Sequence, residues 1–107
     1  MPADTSEIRR RSAALLGNEK LIEVVLAMAR TDEPHAVTAQ QLNGMTGIPH
    51  SLVRDVLVRL VTSEVLLAVP KVGGSRSAQY YQPRSQVGWQ QLVSLAEHLE
   101  AQALTAG

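Results

Sequence analysis

The sequence of 107 residues contains no cysteine, which excludes a disulfide framework, a thiolate metal site and an iron–sulfur cluster. No apolar run approaches the ~20 residues a helix needs to span a bilayer. The first residues, MPADTSEIRRR, are polar with no apolar stretch behind them. No signal peptide is therefore expected, and the expected compartment is the cytoplasm. No Ser-His-Asp set, phosphate loop or paired-carboxylate signature is visible, so neither catalysis nor a cofactor is expected. His35, His50 and His98 are scattered, with no carboxylate or cysteine at ligand spacing, and no metal site is expected. Internal repeats, linkers and low-complexity tracts are also missing.

What remains is a composition of one ordinary domain, 45% apolar and 19% charged. The formal net charge is zero, but the charges are unevenly placed. Residues 1–37 carry a balance of −1, residues 38–84 a balance of +3, and residues 85–107 a balance of −2. A local basic face matters more to phosphate binding than the sum over the chain, although an excess of this size is ordinary on its own.

Asp4 and Glu7 have capping-box spacing, and Ile8, Leu15 and Leu16 share a helical face, which predicts a first helix from Asp4 to Leu16. After Gly17 a second helix is expected from Asn18 to Arg30, with Leu21, Ile22, Val25, Leu26 and Ala29 as its stripe. Thr31 to Pro34 ends it, and His35-Ala36-Val37 reads as a single extended bridge. Thr38, with Gln41 three residues on, opens a short helix carrying Ala39, Leu42 and Met45, and Gly47 closes it. A longer helix follows from His50 to Ser63, with Val53, Val56, Leu57, Leu60 and Val61 inward. Residues 65–69 and 78–82 read as the two strands of a hairpin around Gly73-Gly74-Ser75, stopped by Pro83. Ser85 to Leu104 reads as one long final helix.

The stretch TAQQLNGMTGIPHSLVRDVLVRLVTSEVL, residues 38–66, is therefore a short capped helix, a tight turn and a longer helix with an apolar inner face. That is the plan of a helix-turn-helix, whose second helix offers its outer face to the major groove of DNA. The pattern resembles the winged helix-turn-helix transcriptional regulators of the MarR and ArsR type. Leu42, Gly47, Ile48, Val53, Leu57, Leu60 and Leu66 stand where those families keep apolar and glycine positions, and the likeness continues through the hairpin to Tyr80-Tyr81. It implies a mainly α fold with a small β-hairpin wing and terminal dimerisation helices. On that plan residues 1–17 form an N-terminal helix, 18–83 the winged-helix core and 85–104 a C-terminal dimerisation helix, all in one domain. Two positions depart from the pattern. Pro49 leaves the second helix without a side-chain cap, and Glu64 stands at a corner where glycine is usual, which suggests a different turn.

If Val53, Val56, Leu57 and Leu60 face inward, His50, Ser51, Arg54, Asp55 and Arg59 are left outward. Arg54 is the candidate for paired hydrogen bonds to guanine. Asp55 could accept from cytosine, orient Arg54 or Arg59, or face solvent. Arg59 could meet a phosphate or pair with Asp55 or Glu64. Lys71, Ser75, Arg76 and Ser77 would make a basic wing suited to phosphate or minor-groove contact. Arg9-Arg10-Arg11 reads first as a solvated helix face beside Asp4 and Glu7, and second as a DNA contact. The final helix carries Trp89, Leu92, Val93, Ala96 and Leu99 at spacings of three and four. Such a stripe can cover its own core or meet a second subunit. The expectation is a homodimer, with Ile8, Leu15 and Leu16 adding to the interface.

These features predict a sequence-specific regulator that binds double-stranded DNA as a homodimer. The competing reading is a winged-helix module that binds a protein instead, supported by the zero net charge and by the apolar Leu52 and Val58 on the outer side of the second helix. A small-molecule effector is compatible with either, but no residues for it are legible.

Overall fold

The computed structural model describes residues 5–32, 35–69, 79–84 and 88–105. Among them are five helices and a three-stranded antiparallel sheet. The order is α1 (Thr5–Leu16), α2 (Leu21–Ala29), β1 (Val37–Thr38), α3 (Ala39–Thr46), α4 (His50–Thr62), β2 (Leu66–Val69), β3 (Tyr80–Pro83) and α5 (Trp89–Thr105). Asp4, the expected cap of α1, lies outside the described residues.

Gly17 ends α1 with φ +72, its N–H donating to the Ala13 carbonyl at 2.9 Å. The next helix starts at Leu21, the first residue of its apolar stripe and three residues after the expected start at Asn18. The Asn18 side-chain oxygen accepts from the Lys20 N–H at 2.9 Å, a local turn that competes with helix. Ser12 closes this corner from inside: its fully buried hydroxyl donates to the Asn18 carbonyl at 2.6 Å and accepts from the Ile22 N–H at 3.3 Å. Helix α2 is not striped as expected. Val24 and Met28 are as completely buried as Ile22 and Val25, so apolar residues surround nearly the whole helix. A helix apolar all round belongs in a core, and α2 packs against α1, α3, α4 and α5.

The chain passes His35 at φ +62 and enters β1. The sheet order is β1-β3-β2, with Val37 opposite Tyr81 and Thr38 opposite Tyr80 on one side. On the other side Leu66 pairs with Pro83 and Val69 with Tyr80. Pro83 is thus the last residue of β3 and does not stop the strand before itself. Proline is tolerated there because β1 stops opposite Tyr81 and claims no N–H from position 83.

Thr38 begins α3 with a reciprocal capping box. Its hydroxyl accepts from the Gln41 N–H at 3.1 Å, and the Gln41 side chain accepts from the Thr38 N–H at 2.8 Å. Gly47 ends the helix at φ +74. Pro49 leaves α4 without a side-chain cap, and the Pro49 carbonyl accepts from the Leu52 and Val53 N–H groups at 3.0 and 3.1 Å. At the far end of α4, Glu64 takes φ +67. Its N–H donates to Val61 and that of Val65 to Leu60, both near 3 Å, which is the paired ending usually built on glycine. The turn is therefore the one glycine would make, with a glutamate accepting the strain.

Helix α5 starts at Trp89, four residues after the sequence-based start. Gly88 precedes it at φ +98, its N–H donating to the Gln91 side chain at 3.1 Å. A Cβ at this position would sit 3.2 Å from the Val65 side chain. Trp89, Ala96, Leu99 and Ala103 are buried in the same core as α2, and the Trp89 ring lies 6.5 Å from that of His35, tilted by 39°. Arg30 reaches Glu100 at 2.6 Å and Arg11 reaches Gln102 at 3.1 Å, pinning α5 to α2 and α1. No helix among the described residues is long and apolar enough to cross a membrane.

Candidate functional site

The turn between α3 and α4 is held by side chains as well as backbone. The Asn43 amide donates to the Ile48 carbonyl at 2.6 Å, and the Ile48 N–H donates to the Thr46 hydroxyl at 3.1 Å. The Ile48 side chain is buried beneath it. Val53, Val56, Leu57 and Leu60 then fix the rotation of α4 about its axis, all four being buried. His50, Ser51, Arg54, Asp55 and Arg59 are all exposed, as the periodicity requires.

The burial pattern also ranks these residues. Directly opposite the buried stripe lie Ser51, Asp55, Val58 and Thr62, with Arg54 alongside. Arg59 flanks that line on the other side, as far from it as Arg54, and His50 stands further round the helix. Val58 is 56% exposed and Leu52 42%. Arg59 pairs with Asp55, Nε to Oδ2 at 3.6 Å. Glu64, the other expected partner of Arg59, is 3.8 Å from Arg84. Both pairs are solvent-exposed and contribute little to stability. Arg54 is exposed and has no carboxylate partner among the described residues.

The N-terminal arginines are placed differently. Arg10 and Arg11 both bond Glu7, at 2.5 and 2.9 Å, and Arg9 bonds Glu23 on α2. Hydrogen bonding to Arg10, with Arg11 adding to it, holds the Glu7 carboxyl below its ordinary pKa against the opposing effect of desolvation. The hydrogen bond to Glu23 likewise raises the pKa of Arg9. Each of the three arginines is therefore bonded to a carboxylate of the chain, Arg10 and Arg11 sharing Glu7.

Lys71, Ser75, Arg76 and Ser77 lie outside the described residues. The hairpin that carries them is described in its stem, where β2 and β3 pair over four residues and the Gln79 amide donates to the Val69 carbonyl.

The expected dimer residues divide into two groups. Ile8, Trp89, Ala96 and Leu99 are buried within the chain's own core, so the stripe on α5 covers that core and these four offer no free surface. Leu15 is 56% exposed, while Leu16, Leu92 and Val93 are partly buried at the edge of the core. Leu16, next to Leu15 in the chain, lines an open groove of about 460 Å³ together with Leu21, Leu60, Val65, Leu92 and Leu95, with Arg59, Ser63 and Gln91 adding polar groups. The groove joins the end of α1, the start of α2, the end of α4 and the first turns of α5. No periodicity in one segment could have revealed it. Val58 is exposed as the sequence suggested, whereas Thr62 was missed, although counting in threes and fours from Ser51 through Asp55 and Val58 reaches it.

Among the described residues no group of three or more His, Asp or Glu side chains could hold a metal ion. No family model, curated protein or solved structure matches the chain.

Proposed function

We propose that this chain is a winged helix-turn-helix protein that binds double-stranded DNA as a homodimer in the cytoplasm and regulates transcription. The observation that carries the reading is Arg54, exposed and with no carboxylate partner among the described residues, on the outer face of a helix whose approach is fixed by a capped α3 and a locked turn. A helix presented this way fits the major groove, and an exposed guanidinium matches the paired acceptors of guanine. On this reading α4 is the recognition helix and the β2–β3 hairpin is the wing, whose Lys71, Ser75, Arg76 and Ser77 add phosphate contacts.

Dimerisation follows from the small number of cations. One protomer makes only a few phosphate contacts, and linking two makes the second half-site effectively intramolecular. Exposed Leu15 lies next to Leu16 in the groove wall, so a two-fold arrangement lets each protomer's Leu15 meet its partner's groove. The Leu15→Glu variant should be monomeric by light scattering and lose tight DNA binding. A wild-type protein that stays monomeric at high micromolar concentration yet binds its site tightly would overturn the dimer.

Fluorescence anisotropy with genomic fragments over a salt series tests the whole reading. Binding should weaken with salt, by about one unit of log–log slope per phosphate contact. Failure to bind any duplex at low salt would sink it. Exposed Leu52 and Val58 favour the second reading, a winged-helix module for a protein partner. That reading predicts association that persists at salt concentrations where no DNA is held.

A further inference from the structure

Val58 is a large apolar side chain at the centre of the outer face of α4, 56% exposed, on the line of Ser51, Asp55 and Thr62. The core does not use it, and a β-branched residue brings no benefit to an exposed helix position. Its spacing is informative. Ser51, Arg54, Asp55 and Val58 stand at i, i+3, i+4 and i+7, the set that a helix lying along the major groove presents to base edges. From Ser51 to Val58 the helix rises about 10 Å, roughly three base-pair steps. Three members of this set offer hydrogen-bonding groups. Val58 offers only a hydrocarbon surface.

Resting on the proposal that α4 enters the major groove, we infer that Val58 is a specificity-determining residue that reads thymine through its 5-methyl group. That methyl is the one apolar feature on a major-groove base edge, and it is absent from cytosine, adenine and guanine. Asp55 supports the assignment. Its carboxylate is held toward Arg59 at 3.6 Å, which leaves the outer line beside Val58 open. The exposed valine then belongs to the DNA contact and not to a protein partner.

The test uses duplexes selected by the wild-type protein from a random library. Each thymine of the preferred site is replaced in turn by uracil, which pairs identically but lacks the methyl group. Affinities are measured for the wild type and for Val58→Ala, a change that should leave the melting temperature at or above its original value. One thymine-to-uracil exchange should weaken wild-type binding about fourfold, the value of one buried methyl. The variant should bind both duplexes within a factor of about two. A selected site that tolerates uracil at every position, or a uracil penalty that persists unchanged in Val58→Ala, would overturn the assignment while leaving DNA binding intact. A wild type that selects no duplex at all would overturn both.

Discussion

Helices α2 and α4 are built from similar apolar residues and use them in opposite ways. In α2, LIEVVLAMA, every large apolar side chain is buried and Glu23, the one charged residue, is bonded to Arg9. In α4, HSLVRDVLVRLVT, the apolar residues divide: Val53, Val56, Leu57 and Leu60 go inside, while Leu52 and Val58 stay outside among Ser51, Arg54 and Asp55. The first pattern describes a helix whose sequence is set by packing on all sides. The second describes a helix whose inner half is set by packing and whose outer half answers to something else. An apolar side chain is informative in the second setting because the core gives no account of it.

Substitution on the two helices should separate these roles. Ile22→Ala, in the fully buried helix, should cost about 2–5 kcal/mol through lost burial and the cavity left behind. For a chain of this length that lowers the melting temperature by upwards of about 10 °C. A loss below 1 kcal/mol by denaturant titration would mean that α2 is not the centre of the core. Arg54→Ala, on the divided helix, should leave stability nearly unchanged. It should cost about 1–3 kcal/mol of binding at the preferred site and relax the sequence preference at one position. An unchanged preference would remove Arg54 from base readout.

The ends of the two helices extend the comparison. Both helices have a right-handed C-cap, Arg30 and Ser63, but the residue after α4 takes φ +67, at Glu64, whereas Thr31 after α2 does not have a positive φ. Glu64→Gly should therefore stabilise the protein by about 0.5–1 kcal/mol, as the strain removed outweighs the flexibility gained by the unfolded chain. The accompanying loss of the exposed Arg84 pair should matter little. Equal or lower stability would show that the left-handed corner is better tolerated than its geometry implies.

The smallest effect concerns the arginines that have partners, in contrast to Arg54. Glu7 has a lowered pKa in the folded chain, chiefly through its bond to Arg10. Its contribution is complete above the ordinary carboxylate range and is lost as pH falls through the folded value. The melting temperatures of wild type and Glu7→Gln should thus differ slightly at neutral pH and converge as pH falls below that range. A gap that grows toward acid pH would contradict the assignment.

Much of this was legible because the signals were local. Thr38 with Gln41 announces its capping box within four residues, Gly47 marks the turn, and the buried face of α4 follows from spacing alone. Features set by distant partners were not. The start of α5 follows Gly88 at φ +98, where a Cβ would crowd Val65, and the extended bridge expected at residues 35–37 lies instead at Val37–Thr38, where Tyr80 and Tyr81 pair with it. The late start of α2 comes from a side chain of Asn18 that takes a backbone donor before the helix can. On the terminal helices periodicity identified apolar faces correctly but could not say what covers them. For Ile8, Trp89, Ala96 and Leu99 the cover is the chain's own core.

Trp89 also gives the molecule an internal fluorescent reporter. It is the only tryptophan in the sequence, it is buried at the first turn of α5, and its ring faces His35 from the segment before β1. Its emission therefore reports the docking of α5 on the core, separately from events at the outer face of α4. Selective excitation of this one indole should show a red shift when α5 detaches. An unshifted spectrum during binding would then mark an association that leaves the scaffold undisturbed.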